Sequence, residues 1–136
     1  MAFAIGFAIH GLDHLRRGMS ASPPAVMVGG TVQAVFVVLA VVLALRNHPR
    51  ARRAAVLAGF GSAVLFSYAH LLPTIWPGYQ DSFVSPPHTN VTWFSWLSAV
   101  AEVGTGIVVG GAGIAATRRD RSATPPPYCE SLPVDC

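Results

Sequence analysis

Residues 26–45 read VMVGGTVQAVFVVLAVVLAL. Thr31 and Gln33 are the only polar side chains in that run. Wound as an α-helix, a stretch of this length rises about 30 Å, the depth of the hydrocarbon core of a bilayer. A soluble helix needs a polar face toward water. This one has none, so the reading that decides the fold is a membrane span.

Working outward, three more apolar stretches cover about residues 3–17, 54–73 and 93–117. Together they predict an all-α fold, an integral membrane four-helix bundle. The first stretch is short for a span. Tilt, local thinning or snorkelling arginines must make up its length. It lacks the basic leader of a signal peptide, and Asp13, His14, Arg16 and Arg17 follow a very short apolar run, so it reads as a membrane helix.

Composition agrees. Only 11% of the 136 residues are charged and 52% are hydrophobic, with a mean hydropathy of +0.50. A soluble domain carries about 25% charged residues. Residues 1–121 therefore form one transmembrane domain, and the Pro-containing tail 122–136 is expected to be disordered. Cys129 and Cys136 fall in that tail. Their spacing fits neither a zinc motif nor Cys-x-x-Cys, so they read as incidental thiols.

All nine basic residues are arginine. Four, Arg46, Arg50, Arg52 and Arg53, lie between the second and third stretches, and Arg118, Arg119 and Arg121 follow the fourth. No basic run is interleaved with aromatics for base stacking, so nucleic acid is not an expected partner. The clusters instead set topology. Positive-inside places both in the cytoplasm, which puts the N and C termini there as well. Arg16 and Arg17 oppose this but are outnumbered. Trp76, Tyr79, Trp93 and Trp96 then form an aromatic belt at the outer interface. The expected location is the cell membrane, as a multi-pass protein in contact with the lipid bilayer.

A weak internal repeat is legible. His14-Leu15 is followed by Ser22-Pro23-Pro24 and a helix ending in arginines; His70-Leu71 is followed by Ser85-Pro86-Pro87 and another such helix. Two parallel two-helix repeats about an axis along the membrane normal would make His14 and His70 equivalent.

Polar residues inside the spans are functional candidates, because burying them in hydrocarbon is costly. His10, Asp13, His14 and Arg17 follow i, i+3, i+4, i+7 spacing and share one helix face. Two imidazoles and a carboxylate side by side suit metal ligation, or a carboxylate-oriented histidine. His10, Asp13, His14 and His70 are the candidate metal ligands. In a haem version, His14 and His70 supply the axial pair. Glu102, about 14 Å below Trp93, sits near mid-membrane without a basic neighbour on its own helix. It is a candidate cofactor-site residue that handles protons or balances charge. Ser95, Ser98, Glu102 and Thr105 share its face. Membrane histidines and hydroxyls also serve merely to link helices, and that reading stands beside the functional one. Gly106-x-x-x-Gly110, with Gly59, Gly61, Gly29 and Gly30, predicts close helix packing within the bundle. His48 and His88 read as loop residues.

No phosphate loop, nucleophile elbow or His-Glu-x-x-His is present, so enzymatic turnover is not indicated and no catalytic residue is assigned. The leading expectation is a small membrane protein that holds a transition metal, haem or quinone-like group between helices near the outer side. Two alternatives remain: a non-catalytic accessory subunit of a larger membrane complex, and a proton-coupled transporter or channel that uses Glu102, which would need a homodimer.

Overall fold

The computed structural model describes residues 1–123. It contains four helices: α1 (Ala2–Arg17), α2 (Pro24–Leu45), α3 (Ala51–Phe66) and α4 (Trp93–Ala123). A single π-helical turn, Ser67–Leu71, continues α3. Among the described residues there is no strand. Three segments are long and apolar enough to cross a membrane: Pro24–Leu45, Ala51–Leu71 and Trp93–Asp120. α1 has 16 residues, about 24 Å of rise, short of a full span as its sequence implies.

The boundaries differ from the sequence reading in instructive ways. α2 begins at Pro24, earlier than 26, because a proline at the first helical position lacks only an N–H that would be unbonded anyway. α3 begins at Ala51 rather than 54, so Arg52 and Arg53 lie on its first turn. It ends before Pro73 because the residue preceding a proline is driven out of helical geometry; Leu72 is extended, with ψ of 152°. α4 runs to Ala123 instead of 117, taking in residues 122 and 123 of the expected tail. The remaining tail, with Cys129 and Cys136, lies outside the described residues. α1 ends at Gly18, whose N–H still reaches the carbonyls of His14 and Leu15 and whose positive φ of 96° turns the following chain out of the helix.

Packing follows from small residues. α3 and α4 form the most extensive interface. A Cβ on Gly59 would lie 2.5 Å from the Gly106 carbonyl oxygen, and one on Gly106 would lie 2.7 Å from that of Gly59. The expected Gly106-x-x-x-Gly110 contact is therefore within the bundle, against Gly59 and Phe60. Arg52 of α3 pairs with Asp120 of α4 at the arginine-rich end. α1 packs on α4, α2 packs on α3, and α1 hardly touches α2. The four helices thus run α2–α3–α4–α1 around an open horseshoe. Its lower gap is closed by Phe3, Val37 and Ala58, with Phe7 and Ala40 against them.

The interior is more polar than the surface. Buried side chains include His10, Asp13, Arg17, Gln33, Ser62, His70, Ser95, Ser98 and Glu102, whereas Val28, Val35, Phe36, Leu57, Val64 and Val108 are exposed. α2 buries only Gln33 and Val37. A surface of this kind is compatible with lipid contact and inverts the ordinary water-soluble pattern.

Candidate metal centre

His10, His14 and His70 come together. Each offers a ring nitrogen, and these three atoms lie within 4.8 Å of one another. Ring centroids are 4.9 Å apart for His10 and His14, 4.8 Å for His10 and His70, and 5.4 Å for His14 and His70. Helical spacing of i, i+4 brings the first two onto one face of α1.

His70 is placed by the π turn. The last helical N–H, that of Leu72, bonds the Ser67 carbonyl; beyond it Pro73 has no N–H and the Thr74 N–H goes to Ser85, so the carbonyls of Ala69 and His70 are left for other donors. The connection 80–83 supplies them: Asp81 N–H donates to Ala69 and Phe83 N–H donates to His70, at 2.9 and 2.8 Å. The same connection returns an acceptor, the Asp81 carbonyl, 3.0 Å from His70 Nδ1. A carbonyl only accepts, so Nδ1 carries the proton and Nε2 is left with a lone pair.

A relay makes the same assignment for His14. The Ser22 hydroxyl donates to Asp81 Oδ2 at 2.6 Å. Having spent its single hydrogen there, it can only accept from His14 Nδ1, 3.0 Å away. His10 has two contacts. Its Nδ1 lies 3.4 Å from the Ser98 hydroxyl, which itself donates to the Ser95 carbonyl at 2.9 Å, and its Nε2 lies 3.2 Å from His70 Nε2. Since His70 Nε2 carries no proton, a neutral His10 donates its Nε2 proton across the shorter contact. A cation bound there would displace that proton and leave His10 Nδ1 protonated toward Ser98.

Asp81 has a further role. Its carboxylate takes both terminal nitrogens of Arg17, at 2.6 and 2.8 Å. The Arg17 side chain is 0% exposed and its guanidinium carbon lies 5.1 Å from the Phe83 ring centre. Phe66 and Phe83 pack against the histidine rings at 5.0 and 4.7 Å. The opposing pair of arginines is therefore not a pair of free loop charges: Arg17 is neutralised by Asp81, and Arg16 donates to Asp13 Oδ1 at 2.9 Å.

Asp13 shares the His10–His14 helix but does not belong to the group of converging ligands. Its Oδ1 serves Arg16, and its Oδ2 is buried with no partner. Glu102 lies in a second polar layer. Its side chain is fully buried and neither carboxyl oxygen has a partner in hydrogen-bond geometry. The Ser62 hydroxyl is its polar neighbour, and Ser62 in turn accepts from Gln33 Nε2 at 2.7 Å. Gly6 of α1 packs on the Glu102 backbone. His14 and His70 meet, but the connections that follow them are not used alike. Ser22 serves His14, whereas the Ser85 hydroxyl accepts from the Thr74 N–H. His48 and His88 are exposed in turns, as expected.

A chamber of about 530 Å³ adjoins the histidines, walled by α1, α2 and α3. α1 and α2, which hardly touch one another, supply two of its walls.

The sequence reading missed Asp81, Ser22 and the segment that carries them to the site. One signal was present: Asp81 is the only charged residue in the connection 74–92. Comparison with family models, with curated proteins and with solved structures returns no match to this chain.

Proposed function

We propose that this is a multi-pass membrane protein that holds one transition-metal ion through His10, His14 and His70. The observation that carries the reading is the convergence of three imidazoles, each offering a ring nitrogen within 4.8 Å of the other two. Neutral imidazole suits zinc, copper, iron and nickel. Three histidines with an open fourth position are also a known catalytic donor set for zinc. With bonds of about 2.0–2.1 Å, a tetrahedral edge between two nitrogens is about 3.3 Å, and the His10–His70 separation of 3.2 Å matches it. The three ligand atoms lie within 4.8 Å of one another, so the set would contract around an ion. Asp81, Ser22 and Ser98 act as orienting partners, which raise ligand basicity and fix ring direction.

The close rings favour a compact ion over haem. A porphyrin bound by His14 and His70 would have to pass between rings whose centres are 5.4 Å apart, with His10 against both. Asp13 and Glu102 act outside the ligand set. In this reading the arginine-rich ends, including the Arg52–Asp120 contact, face the cytoplasm with both termini, and the histidines lie near the outer side of the cell membrane.

The test is elemental analysis of protein purified in detergent and offered equimolar zinc, copper, iron or nickel. One equivalent of one metal, lost in His10→Ala, His14→Ala and His70→Ala, is the expected result. Folded protein that binds none of them, or binding that survives His70→Ala, refutes it. A proton-coupled role is the second reading, favoured by the unpartnered carboxyl of Glu102. Proton flux in proteoliposomes that disappears in Glu102→Gln would support it; unchanged flux would remove it.

A further inference from the structure

The chamber beside the histidines is the feature the metal site does not explain. Its wall is almost wholly apolar, built from residues such as Phe7, Leu15, Val26, Ala34 and Leu65, with the three imidazoles as its polar focus. A volume of about 530 Å³ falls within the range of small-molecule sites.

Three glycines line it: Gly11 on α1, and Gly29 and Gly30 on α2. A Cβ added at any of them would meet no atom of the protein within 4 Å. That distinguishes them from Gly59, Gly106 and Gly110, which the α3–α4 contact requires. Glycine inside a helix costs about 0.5–1 kcal/mol relative to alanine. Gly104 and Gly111, which do not line the chamber, are equally open, so the three glycines count here only as the part of its wall that no side chain fills.

We propose that the chamber binds a neutral phenol-type molecule with an apolar tail, entering from the bilayer between α1 and α2. This rests on the histidine site as the polar focus. The hydroxyl of the head would sit at the Nε2 side of the triad, as the oxygen donor at the open metal position. The tail would lie along the glycine-lined wall of α2. A charged headgroup is disfavoured, because Arg17 and Asp81 already satisfy one another and no free counter-charge lines the chamber. A wholly apolar occupant would leave the imidazole face without a partner.

The probe is 4-decyl-2-fluorophenol, followed by its fluorine resonance in nanodiscs containing the zinc-loaded protein. Decylfluorobenzene, which lacks the hydroxyl, is the comparison. A separate bound resonance is expected, with at least tenfold weaker binding of the comparison compound. Gly30→Leu and Gly11→Leu, from opposite walls, are expected to abolish the bound resonance while zinc stoichiometry and helix content stay unchanged. Equal binding of the two compounds would overturn the proposal and make the chamber a seat for lipid acyl chains. No bound resonance in protein that holds zinc would also overturn it, and would leave the metal reading intact. Phenol binding that needs the histidines but occurs without any metal would retain the chamber and remove the metal.

Discussion

Replacing Asp81 with asparagine tests the polar interior most directly. The carboxylate accepts two bonds from Arg17 and one from Ser22, all between 2.6 and 2.8 Å. The substitution keeps the size of the side chain but removes its charge. At an effective dielectric of 20, unit charges about 4 Å apart attract by about 4 kcal/mol. Breaking one side of a buried pair costs about 3–5 kcal/mol, because the other charge stays buried and uncompensated. The structure supports the full range, since the Arg17 side chain is 0% and the Asp81 side chain 7% exposed. Asp81→Asn should therefore destabilise the protein by about 3–5 kcal/mol, read by titrating mixed micelles with SDS and following helicity. The double variant Arg17→Met/Asp81→Leu should recover most of the loss, since apolar side chains of similar volume often replace a buried pair without penalty. A single variant within about 1 kcal/mol of the parent would mean that Arg17 is hydrated. A double variant no better than the single would mean that packing, not charge, dominates. Either result refutes the argument.

Other outcomes follow from the same contacts. Ser22→Ala removes the hydroxyl that holds the His14 proton on Nδ1, so metal affinity should fall by about 10–100-fold while the helices remain, as isothermal titration and circular dichroism would show. Acidification should release the metal, because protons compete for the same imidazole nitrogens; metal content followed by dialysis at stepwise lower pH, beside retained helicity, would show it. Gly59→Ala forces a methyl group against the Gly106 carbonyl and should cost about 1–3 kcal/mol or more, whereas Gly29→Ala should be neutral or stabilising by up to about 1 kcal/mol; denaturant titration in micelles would separate the two. Glu102→Gln should leave metal stoichiometry unchanged, since Glu102 stands outside the converging ligands; loss of metal in that variant would place it in the site.

The helices and much of the candidate site were legible in the sequence because both depend on local periodicity. The run at 26–45 needs no tertiary information, and i, i+4 spacing brings His10 and His14 together whatever the rest does. His70 was legible as a polar residue in an apolar stretch. Its meeting with His10 required knowledge of which helices adjoin, which no single helix encodes. The role of Asp81 was marked only by its being the lone charge of its connection. That connection has no periodicity, and its importance comes from a helix end whose free carbonyls it bonds. The partner of Arg17 was hidden for the same reason. On the helix it lies four residues from Asp13, but its partner is 64 residues away.

α2 has one polar tie to the rest of the protein, the Gln33 amide, which donates to the Ala58 carbonyl and the Ser62 hydroxyl. A buried amide in a largely apolar helix fixes register: sliding or rotating α2 along α3 would leave the amide without a partner in a dry interior. Gln33 therefore acts as a key that sets where the α2 wall of the chamber stands, and the packing of Val37 against Phe3 and Ala58 holds it there.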